Sequence, residues 1–157
     1  MRKRIIAPRE RATEFVEDDW LDLEGLAEVE VTSEDTAHPI EAALLPGHGS
    51  SWRASAPGKQ TIRLLFARPQ PLKRICLSYV ESAIPRTQEY VLRWSADGGR
   101  SYREIVRQQW NFSPLGATAE TEDHHVDLSA VTALELSIVP DIGGGEAIAS
   151  LARLRLA

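Results

Sequence analysis

Apolar and polar residues alternate along much of the chain, the pattern of strands that bury one face and expose the other. The clearest segment runs from residue 72 to residue 112, where Tyr90 and Trp94 share one face. At its centre lies Asp97-Gly98, and such dipeptides supply the positive φ angles of tight hairpin turns. We therefore predict a central β-hairpin to which the other strands are added.

Similar alternation predicts strands at 27–32, 61–66, 74–79, 122–127, 134–138 and 152–156. Turns are predicted at 68–71 and 128–132, and one short helical turn is predicted within 36–45. Helical periodicity is almost absent, and the strands number about eight. The pattern favours an all-β fold, an antiparallel β-sandwich with the strands joined by reversing connections.

The composition is that of an ordinary globular chain. It has 157 residues and a net charge of −5, which argues against nucleic-acid binding. The single cysteine, Cys76, excludes an internal disulfide and favours a reducing compartment. No apolar run is long enough for a signal peptide or a membrane span, so we expect a cytoplasmic protein without membrane contact. Cys76 lies within a strand pattern, where an unreactive structural thiol is expected.

The charges at the N-terminus are divided between two segments. Residues 1–12 are basic, whereas residues 13–35 carry ten acidic residues and no Lys or Arg. The basic arm either lies across this acidic segment, moves freely or binds an acidic partner. We divide the chain into an arm and acidic lead-in, residues 1–26, and a β-sandwich domain, residues 27–157.

Alternating strand direction predicts which loops lie together. The connections at 81–88, 110–120 and 140–147 share one end of the sandwich with the segment 53–59, and loops on a rigid sandwich commonly carry binding groups. Their candidate ligand-binding residues are Arg86, Gln88, Trp110, Asn111, Phe112 and Asp141. The two aromatic rings either stack on a ligand or close off the core.

Catalytic motifs are not found. The sequence lacks GxSxG, HExxH, CxxC and P-loop patterns, so we expect a protein that is not an enzyme. Residues 123–127 contain metal-ligand side chains, because Asp123, His125 and Asp127 would share one face of a strand. A solvated strand is the alternative interpretation and the one we favour. We therefore expect neither a metal nor a cofactor.

The hairpin and its flanks resemble a known family. The segment 90–102, with Ser95-Ala96-Asp97-Gly98 and a following aromatic residue, is similar to the signature of discoidin domains, also called coagulation factor 5/8 type C domains. These overlap with the family 32 carbohydrate-binding modules and share the galactose-binding-like fold. The resemblance covers residues 27–157, and the chain also looks like small stand-alone bacterial proteins. It implies an eight-stranded jelly roll.

The resemblance also carries expectations about ligands. It implies a structural Ca²⁺ whose aspartate falls near 44–46 and whose glutamate falls near Arg153, but these positions are not acidic, so we expect the site to be lost. Ser50 alone matches a family ligand. Carried over, the ligand-binding positions are His48, Arg86, Trp110, Asn111 and Phe112. We expect a non-catalytic module that binds a saccharide through these positions. The alternative is a cytoplasmic protein-interaction module, and the 81–88 loop, which is shorter than in typical sugar binders, argues against the saccharide.

Overall fold

The computed structural model describes residues 20–81 and 84–157, and the predicted basic arm at 1–12 lies outside them. In this part of the chain, eight strands and two single helical turns form. The elements are α1 (Leu23–Leu26), β1 (Ala27–Val31), α2 (Glu41–Leu44), β2 (Trp52–Pro57), β3 (Gln60–Val80), β4 (Arg86–Ser95), β5 (Arg103–Phe112), β6 (Ala119–Val139), β7 (Ile148–Leu151) and β8 (Arg153–Leu156). No helix among the described residues is long and apolar enough to cross a membrane.

All strand pairs are antiparallel, as the alternation predicts. One sheet has the order β1-β3-β6-β4-β5, with β8 also paired to β3, and β2 pairs with β7 separately. The antiparallel all-β class is therefore confirmed. The predicted helical turn within 36–45 is present as α2, and the predicted strand at 152–156 begins one residue later, with β7 preceding it.

The predicted turns at 68–71 and 128–132 are wrong as strand breaks, because β3 and β6 each continue for 21 residues. The pairing of β3 with β6 changes register between Leu65 and Gln70 and again up to Arg74. Pro69 and Pro71, which signalled a turn, lie at this irregularity, where a proline removes no ladder hydrogen bond that the sheet requires. The sequence signal therefore marks a bend within long strands.

The bend folds the β3–β6 ribbon over into two layers. Tyr79, near the end of β3, packs against Tyr90 of β4 with ring centroids 5.3 Å apart. Tyr90 pairs with Ile138, which in turn pairs with Gln60 at the start of β3. Both ends of β3 therefore return to one end of the sandwich. The core between the layers includes Trp52, Ile62, Leu64, Leu72, Ile75, Leu77, Leu92, Leu134, Leu136, Ile138 and Leu151.

The hairpin turn is closed by side-chain hydrogen bonds. Asp97 Oδ1 accepts bonds from the Ser95 hydroxyl at 2.6 Å and from the Ser101 backbone N–H at 2.9 Å. The Ser101 hydroxyl donates to Asp97 Oδ2 at 2.6 Å, and this bond, more than the other two, holds the pKa of Asp97 well below its usual range. Gly98 follows with a φ of 75°. The Asp-Gly signal thus forms the tight turn that the sequence predicts.

Candidate functional site

The loops that the sequence assigns to one end of the sandwich do meet there. Arg86 pairs with Phe112 and Gln88 pairs with Trp110 across β4 and β5. The 140–147 loop joins them through the Ile142 N–H, which donates to the Thr87 carbonyl at 2.8 Å. We call this surface, formed by residues 57–60, 80–81, 84–86, 112–118 and 140–148, the loop end.

Arg86 lies inside the loop end rather than on its surface. Its side chain is only 2% exposed, and it pairs with Glu81 at 3.2 Å. Nη1 donates to the Ile148 carbonyl at 2.9 Å. Burial lowers the pKa of Arg86, and the Glu81 carboxylate acts in the opposite direction. The guanidinium therefore joins Glu81 to β7, and its contact with a ligand stays a prediction for a side chain that the structure buries.

The aromatic residues of β5 close the core, which is one of the two alternatives that the sequence left open. Phe112 is 2% exposed, and the Arg86 guanidinium lies 5.7 Å from its ring centroid. Trp110 is half-buried and packs against the core. The burial of the Phe112 ring matches the alternative in which it closes off the core, and its contact with a ligand stays a prediction. Gln88 is also buried, at 1% exposure.

Three predicted positions reach solvent. Asn111 is exposed and accepts a hydrogen bond from the Thr87 hydroxyl. Asp141 is half-buried, and its carboxylate accepts the Gly143 N–H at 3.0 Å. His48 is exposed in the loop before Trp52, and no hydrogen bond within the described residues joins it to the other six candidates.

A polar cavity of about 300 Å³ opens where the loop before Trp52 meets the end of β3. Its lining combines hydroxyl groups with one cation and one anion: Ser50, Ser51, Arg53, Val80, Glu81, Ser150 and Ala152. Arg53 is exposed, and Glu81 is held from behind by Arg86. Sequence reasoning missed Arg53 and Ser150, because they come from β2 and β7, which pair only in the folded chain.

A second group that the sequence did not reveal lies between the layers. Glu120 is 7% exposed, and its carboxyl is hydrogen-bonded to Glu122. Burial and this neighbour raise the pKa of Glu120 to about 8. Close by, the Tyr90 hydroxyl and the His124 Nε2 are 2.8 Å apart, and burial lowers the pKa of His124. Alternation along β6 places Glu120, Glu122 and His124 on one face of the strand, but their burial depends on the fold.

The predicted metal-ligand cluster at 123–127 is divided between ion pairs and the interior. Asp123 receives two hydrogen bonds from Arg74, each 2.8 Å long, and Asp127 pairs with Lys73. His124 points inward to Tyr90. Within 20–81 and 84–157, no group of three His, Cys, Asp or Glu side chains is placed to hold a metal ion.

Comparison with known proteins gives similarity in structure alone: no family model matches the sequence, and no curated protein matches it. The family 32 carbohydrate-binding module from C. perfringens NanJ in complex with galactose is 14% identical, covers 83% of this chain and 92% of its own, and has a TM-score of 0.60. The chain has the fold of the family 32 carbohydrate-binding modules.

Two further structures of this fold are similar to the chain. CBM32 of AlyQ, in complex with 4,5-unsaturated mannuronic acid, is 12% identical, covers 84% of this chain and 95% of its own, and has a TM-score of 0.61. CBM32-3 from a family 31 glycoside hydrolase of Clostridium perfringens matches with 18% identity, 89% and 95% coverage and a TM-score of 0.62.

The Ca²⁺ that this fold family implies does not fit the residues of this chain. The expected positions line a cavity of about 330 Å³ formed by Ala42, Leu45, Pro46, Gly47, Gly49, Ser50, Ser78, Ala152, Arg153 and Arg155. Ca²⁺ requires several oxygen ligands, normally including carboxylates. Among the residues that the structure describes, the only charged side chains in this lining are two arginines, which would repel a cation.

Proposed function

We propose that this chain is a non-catalytic carbohydrate-binding module whose ligand contacts the polar cavity beside Arg53. Galactose and 4,5-unsaturated mannuronic acid are the ligands in two structures with the same fold. The observation that carries the proposal is the lining of the cavity, in which hydroxyl groups, a guanidinium and a carboxylate converge on a space of about 300 Å³.

The chemistry of this lining suits a saccharide. Sugar hydroxyls both donate and accept hydrogen bonds, and Arg53 supplies donors while Glu81 supplies acceptors. Because Arg86 holds the Glu81 carboxylate by a 3.2 Å ion pair, the acceptor is fixed before the ligand arrives. No aromatic residue within 20–81 or 84–157 lines the cavity, so the apolar face of a sugar gains no stacking from this part of the chain. We therefore expect weak binding that does not depend on a metal.

A glycan array followed by calorimetry tests the proposal. We expect Arg53→Ala to weaken binding about 10-fold or more, because it removes a charge-assisted hydrogen bond. Arg100→Ala provides the matched control, since Arg100 is an exposed arginine in the hairpin turn at the opposite end. If no glycan binds at millimolar concentration, or if both variants bind like the unaltered chain, the proposal fails.

A specific observation also favours the second candidate function, a cytoplasmic protein-interaction module. Four large aliphatic side chains at the loop end reach solvent: Val80 and Ile84 at 55%, Ile142 at 49% and Leu115 fully. Exposed apolar groups gathered in one region are typical of interaction surfaces. A crosslinked protein partner that is lost with Leu115→Asp but retained with Arg100→Ala would favour this function, and recovery with both variants would exclude this surface.

A further inference from the structure

The cavity whose lining does not fit Ca²⁺ contains a positively charged side chain of the protein, the guanidinium of Arg155. Arg155 lies in β8, the last strand, and is only 5% exposed. Its Nη1 donates to the Ala43 carbonyl and to the Leu154 carbonyl, both at 2.9 Å. A charged group buried to this extent persists only where hydrogen bonds compensate for its lost hydration.

The bond to Ala43 joins two parts of the chain that are distant in sequence. Ala43 belongs to α2, a single helical turn, and the last carbonyls of a helix have no partner within the helix. The guanidinium satisfies one of them across 112 residues of sequence. Residues 45–51 directly follow α2 in the sequence. Ser50 and Ser51 of this segment line the polar cavity.

We propose that Arg155 is a built-in replacement for the structural Ca²⁺ of this fold, fastening β8 to α2 and thereby positioning the 45–51 loop. A bound Ca²⁺ would gather carbonyl oxygens around one cation, and the Arg155 guanidinium does so with directed N–H donors. The loop is then positioned by a covalently attached cation, so its order does not depend on the Ca²⁺ concentration. This inference concerns loop position and holds whether or not a saccharide binds.

The test compares Arg155→Met, which keeps an unbranched apolar side chain but removes the guanidinium and its charge, with Arg153→Met. Arg153 lines the same cavity on the same strand, so it is the matched control. Melting temperature is measured in excess EDTA and in millimolar CaCl₂. Amide hydrogen exchange is followed at Leu44 and Leu45, whose N–H groups donate to the carbonyls of Ile40, which directly precedes α2, and of Glu41, its first residue.

We expect the melting temperature of the unaltered chain to be the same in EDTA and in Ca²⁺. Arg155→Met should lower it by about 5 °C or more, since a charge-assisted hydrogen bond is lost. It should also accelerate exchange at Leu44 and Leu45 about 10-fold, whereas Arg153→Met should change both readouts less than Arg155→Met does. Stabilisation of the unaltered chain by Ca²⁺, or equal behaviour of the two variants, would overturn the proposal.

Arg155→Lys decides the question if Arg155→Met does not fold. The lysine retains the charge and has three donors, but its side chain is one atom shorter than that of arginine and its donors are not held in the plane of a guanidinium. We expect this variant to fold, with exchange at Leu44 and Leu45 faster than in the unaltered chain and slower than in any folded Arg155→Met protein. Exchange identical to that of the unaltered chain would contradict a specific role for the guanidinium.

Discussion

The buried carboxyl of Glu120 makes the stability of this domain depend on pH. Its neighbours are Glu122, to which it is hydrogen-bonded, and the buried rings of Tyr79 and Tyr90. Burial is the largest cause of its raised pKa, which is about 8 against an ordinary value of 4.5. The fold therefore favours the protonated carboxyl, and deprotonation leaves two like charges between the layers.

The sign of the effect follows from proton binding. Between the two pKa values the folded chain holds a proton on Glu120 that the unfolded chain has released, so the free energy of unfolding falls as the pH rises. The decline ends above the folded pKa, where both states are ionised. For a folded pKa of about 8, the free energy of unfolding decreases by about 2 kcal/mol between about pH 6.5 and about pH 8.5.

Urea denaturation of the unaltered chain and of Glu120→Gln across that interval measures this decline. The amide of glutamine does not titrate, so the stability difference between the two proteins should change by about 2 kcal/mol in favour of the variant. The interval lies above the range in which His124 titrates, because burial lowers the pKa of His124 from 6.5. Glu104→Gln, on the exposed face of β5, is the control and should follow the unaltered chain.

Parallel stability curves for the unaltered chain and Glu120→Gln would refute this reasoning. They would mean that the carboxyl is already ionised at neutral pH, and therefore that water reaches it between the layers. A decline of similar size in both Glu104→Gln and Glu120→Gln would likewise assign the pH dependence to other groups.

Three further outcomes are expected. Arg86→Met should cost roughly 3–5 kcal/mol in urea denaturation, because it removes the buried cation that pairs with Glu81; a loss below about 1 kcal/mol would contradict this. Gly98→Ala should cost about 1 kcal/mol, since Gly98 has a φ of 75°, whereas Gly116→Ala should not destabilise the chain; equal effects would exclude a backbone cause. Burial raises the pKa of the Cys76 thiol to about 11, so a thiol reagent at neutral pH should label the folded chain about 100-fold more slowly than the unfolded chain, and rapid labelling would contradict its burial.

Local signals in the sequence were sufficient for the fold class. The Asp97-Gly98 turn forms as predicted, because its backbone angles and its capping hydrogen bonds arise from neighbouring residues. The sequence at Pro69 and Pro71 predicts a break between strands, because proline is common both in turns and at bulges within a strand. Only the pairing of β3 with β6 on both sides of the bend distinguishes these two cases.

The candidate site could be predicted as a region but not in its side chains. Alternating strand direction places Arg86, Trp110 and Asp141 near one another, and this depends on topology alone. Whether a side chain faces the ligand or the interior depends on the opposite layer, which the local sequence does not specify. Arg86 is buried because Glu81 and the Ile148 carbonyl receive its donors, and both partners come from other segments.

The burial of Arg86 determines which substitutions are informative about binding. Its guanidinium joins Glu81 to β7, so replacing it disturbs Glu81 and the cavity wall together, and lost binding would not distinguish contact from positioning. Arg53 lines the same cavity from an exposed position, and its removal leaves this support in place. An effect of Arg53→Ala on affinity with unchanged stability would therefore assign ligand contact to the cavity, which no substitution at Arg86 or Phe112 is able to do.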